Sequence, residues 1–166
     1  MNENGVLANK SRLRAWLDPK LVLMDVEAVD RDHALDTIAG EVARVCSLQA
    51  DMVRRALWRR EQAGSTSVGG GFAIPHGQVA GIQEPITVYM RTRQPIPFGA
   101  RTGEPVQELL VILVPADGHR DDHLQLLALV AMLFGDPRFR ERLREVKGTD
   151  DVRAVFRAGF DGLQGS

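Results

Sequence analysis

Residues 106–116 read VQELLVILVPA, and the unbroken apolar run Leu109–Val114 within them sets the architecture. A strand with one wet face alternates polar and apolar residues. A run that is apolar at every position has the pattern of a strand covered on both faces. Working outward, ITVYMRT (86–92) and LVLMDVEA (21–28) read as further strands. Between the first strand and the glycine-rich stretch near residue 70, two helices are expected. One is capped by Asp30 or Asp32, with Leu35, Ile38, Ala39, Val42 and Val45 as its apolar stripe. The other covers about 49–62, with Met52, Val53, Ala56 and Leu57 inward and arginines outward.

After the strands the pattern turns helical again. A helix capped by Asp121 or Asp122 is expected to run through Phe134, with Leu124, Leu127, Ala128 and Ala131 on one face. GDP (135–137) interrupts it, and Pro137 opens the next helix, because a first-turn proline sacrifices no hydrogen bond. TDDVRAVFRAGF supplies a last helix with Thr149 as its cap. Helices before and after a group of strands imply an α/β fold in which helices sandwich the sheet. At 166 residues one domain is expected, with its core over about 20–158 and with 1–10 and 161–166 mobile.

Bulk properties narrow the partners. The net charge of −1 offers no field for nucleic acid or an anionic membrane surface. Cys46 is the one cysteine, which excludes an internal disulfide and thiolate-pair metal sites. The longest apolar run, LQLLALVAMLF from Leu124, is too short to cross a bilayer, and the N-terminus lacks a secretory pattern. These features predict a soluble cytoplasmic protein.

The chemistry concentrates in STSVGGGFAIPHG (65–77). Glycines cost chain entropy, so this cluster shapes backbone rather than filling a core. Pro75 stiffens the approach to His76, and Gly77 is expected to allow a sharp departure and leave room beside the ring. Glycine-rich backbone together with the hydroxyls of Ser65, Thr66 and Ser67 can form a concave anion site. A neutral imidazole is a competent nucleophile toward phosphorus near neutral pH. The residues alone leave two readings open: a phosphoryl-accepting site, or a tight turn with an exposed histidine. Arg59 and Arg60 just upstream read either as a solvated helix end or as phosphate partners. His33 is a surface residue without a role. His119 and His123 stand four apart among Asp117, Asp121 and Asp122, but without the glutamate placement of a metalloprotease helix, and no metal is assigned.

RREQAGSTSVGGGFAIPHG (59–77) closely resembles the phosphorylation segment of enzyme IIA domains of the fructose/mannitol type in the bacterial phosphoenolpyruvate-dependent phosphotransferase system. The likeness continues through PIPFGARTGEPVQELLVILVPA (95–116) and HLQLLALVAMLF (123–134), and so spans most of 20–158. Within that family the chain is most similar to the nitrogen-regulatory enzymes IIA. The resemblance implies a three-layer α/β/α sandwich with a mixed sheet and no cofactor. It implies that His76 accepts a phosphoryl group from an HPr-like phosphocarrier. Arg60, sixteen residues upstream, would stabilise the phosphate, and His123 would be the second active-site histidine. Ser65, Thr66 and Gly77 would belong to the phosphate loop. Phosphorylation state would control regulatory target proteins. The alternatives are a sugar-specific enzyme IIA serving a IIB component, and a non-catalytic binding module such as the same fold forms in some anion exchangers. Ser67, where the family usually has glycine, and Gln78, where a lysine or arginine is frequent, depart from the pattern. Phe72, Ile74 and Phe98 read either as apolar contacts for a partner or as core.

Overall fold

The computed structural model describes residues 3–99 and 101–164. The elements follow the order α1 (Glu3–Leu17), β1 (Leu21–Val26), α2 (Arg31–Cys46), α3 (Ala50–Gln62), β2 (Ser67–Gly69), β3 (Phe72–Ala73), β4 (His76–Val79), β5 (Ile86–Ile96), β6 (Val106–Pro115), α4 (Arg120–Phe134), α5 (Pro137–Glu145) and α6 (Thr149–Gln164). They form two compact units. One is continuous, Leu21–Gly118; the other joins the chain up to Lys20 with the chain from His119 onward.

The continuous unit holds a mixed sheet in the order β1-β5-β6-β3-β2, with β4 also on β6. β1 runs parallel to β5, β5 antiparallel to β6, and β3 and β4 parallel to β6. Every residue of β6 except Gln107 is buried, as its continuous apolar run requires. Side chains that alternate along the strands divide its two faces. Val88, Met90, Leu109, Val111 and Leu113 form one core with Ala34, Leu35, Ile38, Val42, Val53 and Leu57 of α2 and α3. Tyr89, Leu110 and Ile112 are buried on the other face. There the Tyr89 hydroxyl donates to Glu108 Oε1 at 2.5 Å, and Arg91 Nη2 pairs with the same oxygen at 3.0 Å. Burial, and then the Glu108 charge, push the Tyr89 phenol far above its ordinary range, so it stays a donor.

The α2 stripe is as expected except at its end: Val45 is exposed, and Ala34 is buried in its stead. Asp30 is the cap, accepting from His33 N at 2.9 Å. Replacing Asp30 with Ala leaves that amide without its partner and should lower unfolding stability by about 1 kcal/mol. Urea denaturation followed by circular dichroism reads the change as a lower midpoint at constant slope.

In the other unit Leu13, Trp16 and Leu17 of α1 are buried. So are Leu126, Val130, Leu133 and Phe134 of α4, together with Phe139, Leu143, Val152, Phe156 and Phe160. Phe139 packs edge-on to both Phe134 and Phe156, with ring centroids 5.3 and 5.4 Å apart. Several sequence expectations fail here. The buried face of α4 is not that of Leu124, Ala128 and Ala131, all of which are exposed. Asp121 and Asp122 lie within the first turn, and His119 holds the cap position without a side-chain bond. Thr149 is the first helical residue of α6 rather than its cap. Pro137 opens α5 as expected, and the cap is Asp136, which accepts from Arg138 N at 3.0 Å. Of the termini expected to be mobile, 1, 2, 165 and 166 lie outside the described residues, and 3–10 and 161–164 are helical.

Candidate active site

The segment after α3 is not an irregular loop. β2 and β3 form a short antiparallel hairpin, Ser67 opposite Ala73, turned by Gly69, Gly70 and Gly71. All three glycines have positive φ (85°, 66° and 86°), a region that L side chains rarely adopt, so the triplet is demanded by the turn. Among the described residues, the non-glycine positions of positive φ are Asp25 and Ser47. Ser67 therefore needs no glycine backbone, and its amide donates to Ser65 Oγ at 3.1 Å.

β3 and β4 continue one another along β6 in a single register, Ala73 opposite Leu109 and His76 opposite Ile112. The break between them is Ile74–Pro75. Pro75 has no N–H to donate, yet its carbonyl still accepts from Ile112 N at 2.9 Å. The chain is thus held on the sheet up to the residue before His76, which is half-buried.

Both imidazole nitrogens have partners. Nδ1 lies 2.9 Å from the carbonyl of Ile74. A carbonyl can only accept, so Nδ1 carries the proton. Nε2 accepts from Arg60 Nε at 3.1 Å, which agrees with a lone pair on that nitrogen. Arg60 Nη1 also donates to the Gly64 carbonyl at 2.8 Å, tying the end of α3 to the start of the hairpin. The next residue, Glu61, is a buried carboxylate that accepts from Thr66 N at 3.2 Å and from Thr66 Oγ1. The Thr66 hydroxyl is therefore committed to Glu61, whereas Ser65 Oγ, an acceptor here, keeps its own hydrogen to donate.

Gly77 does not leave open space beside the ring. It pairs with Leu113, whose side chain faces α2 and α3, and a Cβ on Gly77 would lie 3.0 Å from the Ala56 carbonyl oxygen. The glycine lets β4 approach the backbone of α3, which brings Arg60 to His76. Gly77→Ala forces backbone against backbone and is expected to cost about 1–3 kcal/mol, read as a lower Tm.

The sequence-based residues Arg60, Ser65, Thr66, His76 and Gly77 come together in one unit. His123, half-buried one turn into α4, belongs to the other unit, as does exposed His119. Phe72, Ile74 and Phe98 are core. Arg59 and Gln78 are exposed. Glu61 was not singled out by sequence; its one signal was a charge four residues beyond Leu57, on the buried stripe of α3. No group of three metal-ligating side chains occurs among the described residues, and no helix there is long and apolar enough to cross a membrane.

Residues 15–159 match the family described as "Phosphoenolpyruvate-dependent sugar phosphotransferase system, EIIA 2". The chain is 37% identical over 134 residues to the nitrogen regulatory protein of Pseudomonas aeruginosa, covering 80% of this chain and 86% of that one. It is 34% identical over 106 residues to the fructose-specific EIIA component of Haloferax volcanii, covering 64% and 68%. The crystal structure of nitrogen regulatory protein IIA-Ntr from Neisseria meningitidis superposes with a TM-score of 0.75 at 33% identity, covering 85% of this chain and 94% of that one. The shared fold agrees with the mixed-sheet α/β/α architecture expected from sequence.

Proposed function

This chain belongs to the EIIA 2 family of the phosphoenolpyruvate-dependent sugar phosphotransferase system, and on that premise we propose that His76 accepts a phosphoryl group from an HPr-like carrier. The observation that carries the proposal is the pair of contacts on the imidazole. Nδ1–H rests on the Ile74 carbonyl, and the lone pair of Nε2 faces a guanidinium. Nε2 attacks the phosphorus of the carrier's phosphohistidine, a new P–N bond forms, and the donor P–N bond breaks, its electron pair returning to the donor ring. The Nδ1 proton stays in place, and the Ile74 carbonyl compensates the positive charge the ring acquires. Arg60 exchanges its bond to Nε2 for bonds to the phosphoryl oxygens, where a guanidinium fork matches their geometry. Ser65 adds a hydroxyl donor, while Thr66 and Gly77 hold the backbone. The role of His123 as a second imidazole steadying the phosphoryl group rests on the family match of its position.

The phosphorylation state then governs the binding of regulatory target proteins, a reading supported by the likeness to proteins named nitrogen regulatory. Incubation with enzyme I, carrier and phosphoenolpyruvate, followed by intact-mass measurement, tests the first step: one acid-labile phosphoryl group is expected. A second reading follows from the fructose-specific relative. Efficient passage of the group to a fructose-type IIB domain would assign the chain to sugar uptake instead.

A further inference from the structure

Five hydrogen bonds around His76 form a circuit that begins and ends on neighbouring residues of α3. Glu61 holds Thr66 at both its amide and its hydroxyl. The Thr66 carbonyl accepts from Ile74 N at 3.0 Å. The Ile74 carbonyl accepts from His76 Nδ1 at 2.9 Å, and His76 Nε2 accepts from Arg60 at 3.1 Å. Arg60 precedes Glu61 in the chain. Both nitrogens of the imidazole are thus referred to one turn of one helix, by a short path and a long one.

Glu61 is the unexpected member. It is 3% exposed, and among the described residues no basic side chain forms an ion pair with it. Burying a carboxylate without a cation is expensive, and an apolar residue at a stripe position of α3 would be the more stable choice. What the carboxylate does that an apolar residue cannot is accept two bonds from a single residue, fixing where the Thr66 carbonyl points. That carbonyl anchors the Ala73–Ile74 peptide, and across the Ile74 Cα the following carbonyl, together with the Arg60 donor on Nε2, decides which imidazole nitrogen carries the proton.

We propose that Glu61 is a positioning residue that, through Thr66 and Ile74, keeps the proton on His76 Nδ1 and the lone pair on Nε2. This rests on His76 as the phosphoryl acceptor. Without that path only the Arg60 donor opposes the other tautomer, which presents N–H to the incoming phosphorus, and its population rises.

The test uses 15N-labelled histidine in the unphosphorylated protein, above the pH at which the ring is charged, where chemical shifts report each tautomer. Wild type is expected almost wholly as the Nδ1–H form. Glu61→Gln and Thr66→Val, each still folded by amide spectra, should show a several-fold rise in the Nε2–H form. Transfer from saturating phospho-carrier should fall by about tenfold with KM unchanged, a loss of orientation rather than of docking. Thr66→Ser, which restores the hydroxyl, should recover most of both effects relative to Thr66→Val. A wild-type tautomer ratio in either folded variant overturns the proposal, and so does a wild-type transfer rate beside a shifted ratio. The tautomer measurement needs no carrier. A wild-type chain that takes up no phosphoryl group would sink the proposed function and leave this inference to be decided by the ratio alone.

Discussion

His76→Ala incubated with enzyme I, a phosphocarrier and phosphoenolpyruvate is expected to gain no phosphoryl group, whereas the wild-type chain should gain one. Among the described residues, alanine removes the one imidazole whose lone pair is presented to an arginine while its other nitrogen is held by a carbonyl. The remaining histidines offer no such arrangement. His33 Nδ1 already accepts from Val29 N at 3.3 Å, and His119 is an exposed cap residue on α4. The fold should survive, because the ring is half-buried and the strand around it is held by backbone bonds to β6. Loss of the two side-chain bonds is expected to cost about 1–2 kcal/mol. Denaturation curves separate that small cost from the complete loss of labelling. Phosphoryl uptake by a folded His76→Ala protein refutes the assignment.

Arg60→Ala should slow transfer by about 100- to 1,000-fold, the range seen when one preorganised donor to a developing anionic charge is removed. The guanidinium is already at Nε2 before any phosphate arrives, so little reorganisation stands between its resting bond and the transition state. Arg60 also holds the Gly64 carbonyl at 2.8 Å, and alanine therefore loosens the hairpin as well. Arg60→Lys separates the two effects. Lysine retains the charge but not the planar fork, so it should restore only part of the rate. Single-turnover rates at saturating phospho-carrier give the comparison. Full recovery with lysine would mean that charge alone is enough, and wild-type rates in both variants would remove Arg60 from the reaction.

How legible the molecule was depended on contrast in the sequence. β6 was readable because its apolar run is continuous, β5 because ITVYM is rich in β-branched and aromatic residues, and α2 because Leu35, Ile38, Ala39 and Val42 recur at helical spacing between polar residues. In α4 the stretch LQLLALVAMLF is apolar almost all round, so spacing could not tell the side of Leu126 and Val130, which is buried, from the side of Leu124 and Ala128. α1 was missed for the opposite reason: ENGVLANKSRLRAWL is mostly polar, and only Leu13, Trp16 and Leu17 mark its buried end.

At the site, composition pointed to His76 but left it balanced between turn and chemistry. The structure separates the turn from the histidine. Gly69–Gly71 serve a hairpin, and His76 stands at the resumption of a strand after Pro75. Gly77 was read as open space because a glycine beside a reactive ring suggests access; its actual neighbour, the carbonyl of Ala56, is twenty-one residues away in sequence. Glu61 escaped notice because its local sign, a charge on the α3 stripe, does not tell which group in the fold it partners.

The unit containing α1 is assembled from distant parts of the chain. Arg14 meets Asp161 at 3.0 Å, Asp18 meets Arg157 at 2.9 Å, and Arg153 Nε donates to the Pro19 carbonyl at 3.2 Å. On the ribosome, the strands and both helices of the continuous unit are complete once Pro115 has emerged, so that unit can form while synthesis continues. Helix α1 has no α6 to meet until the whole continuous unit and two further helices have followed it, a wait on the order of 10 s at ordinary elongation rates. Until then Leu13, Trp16 and Leu17 lack their α6 partner, and a helix made before the continuous unit settles after it.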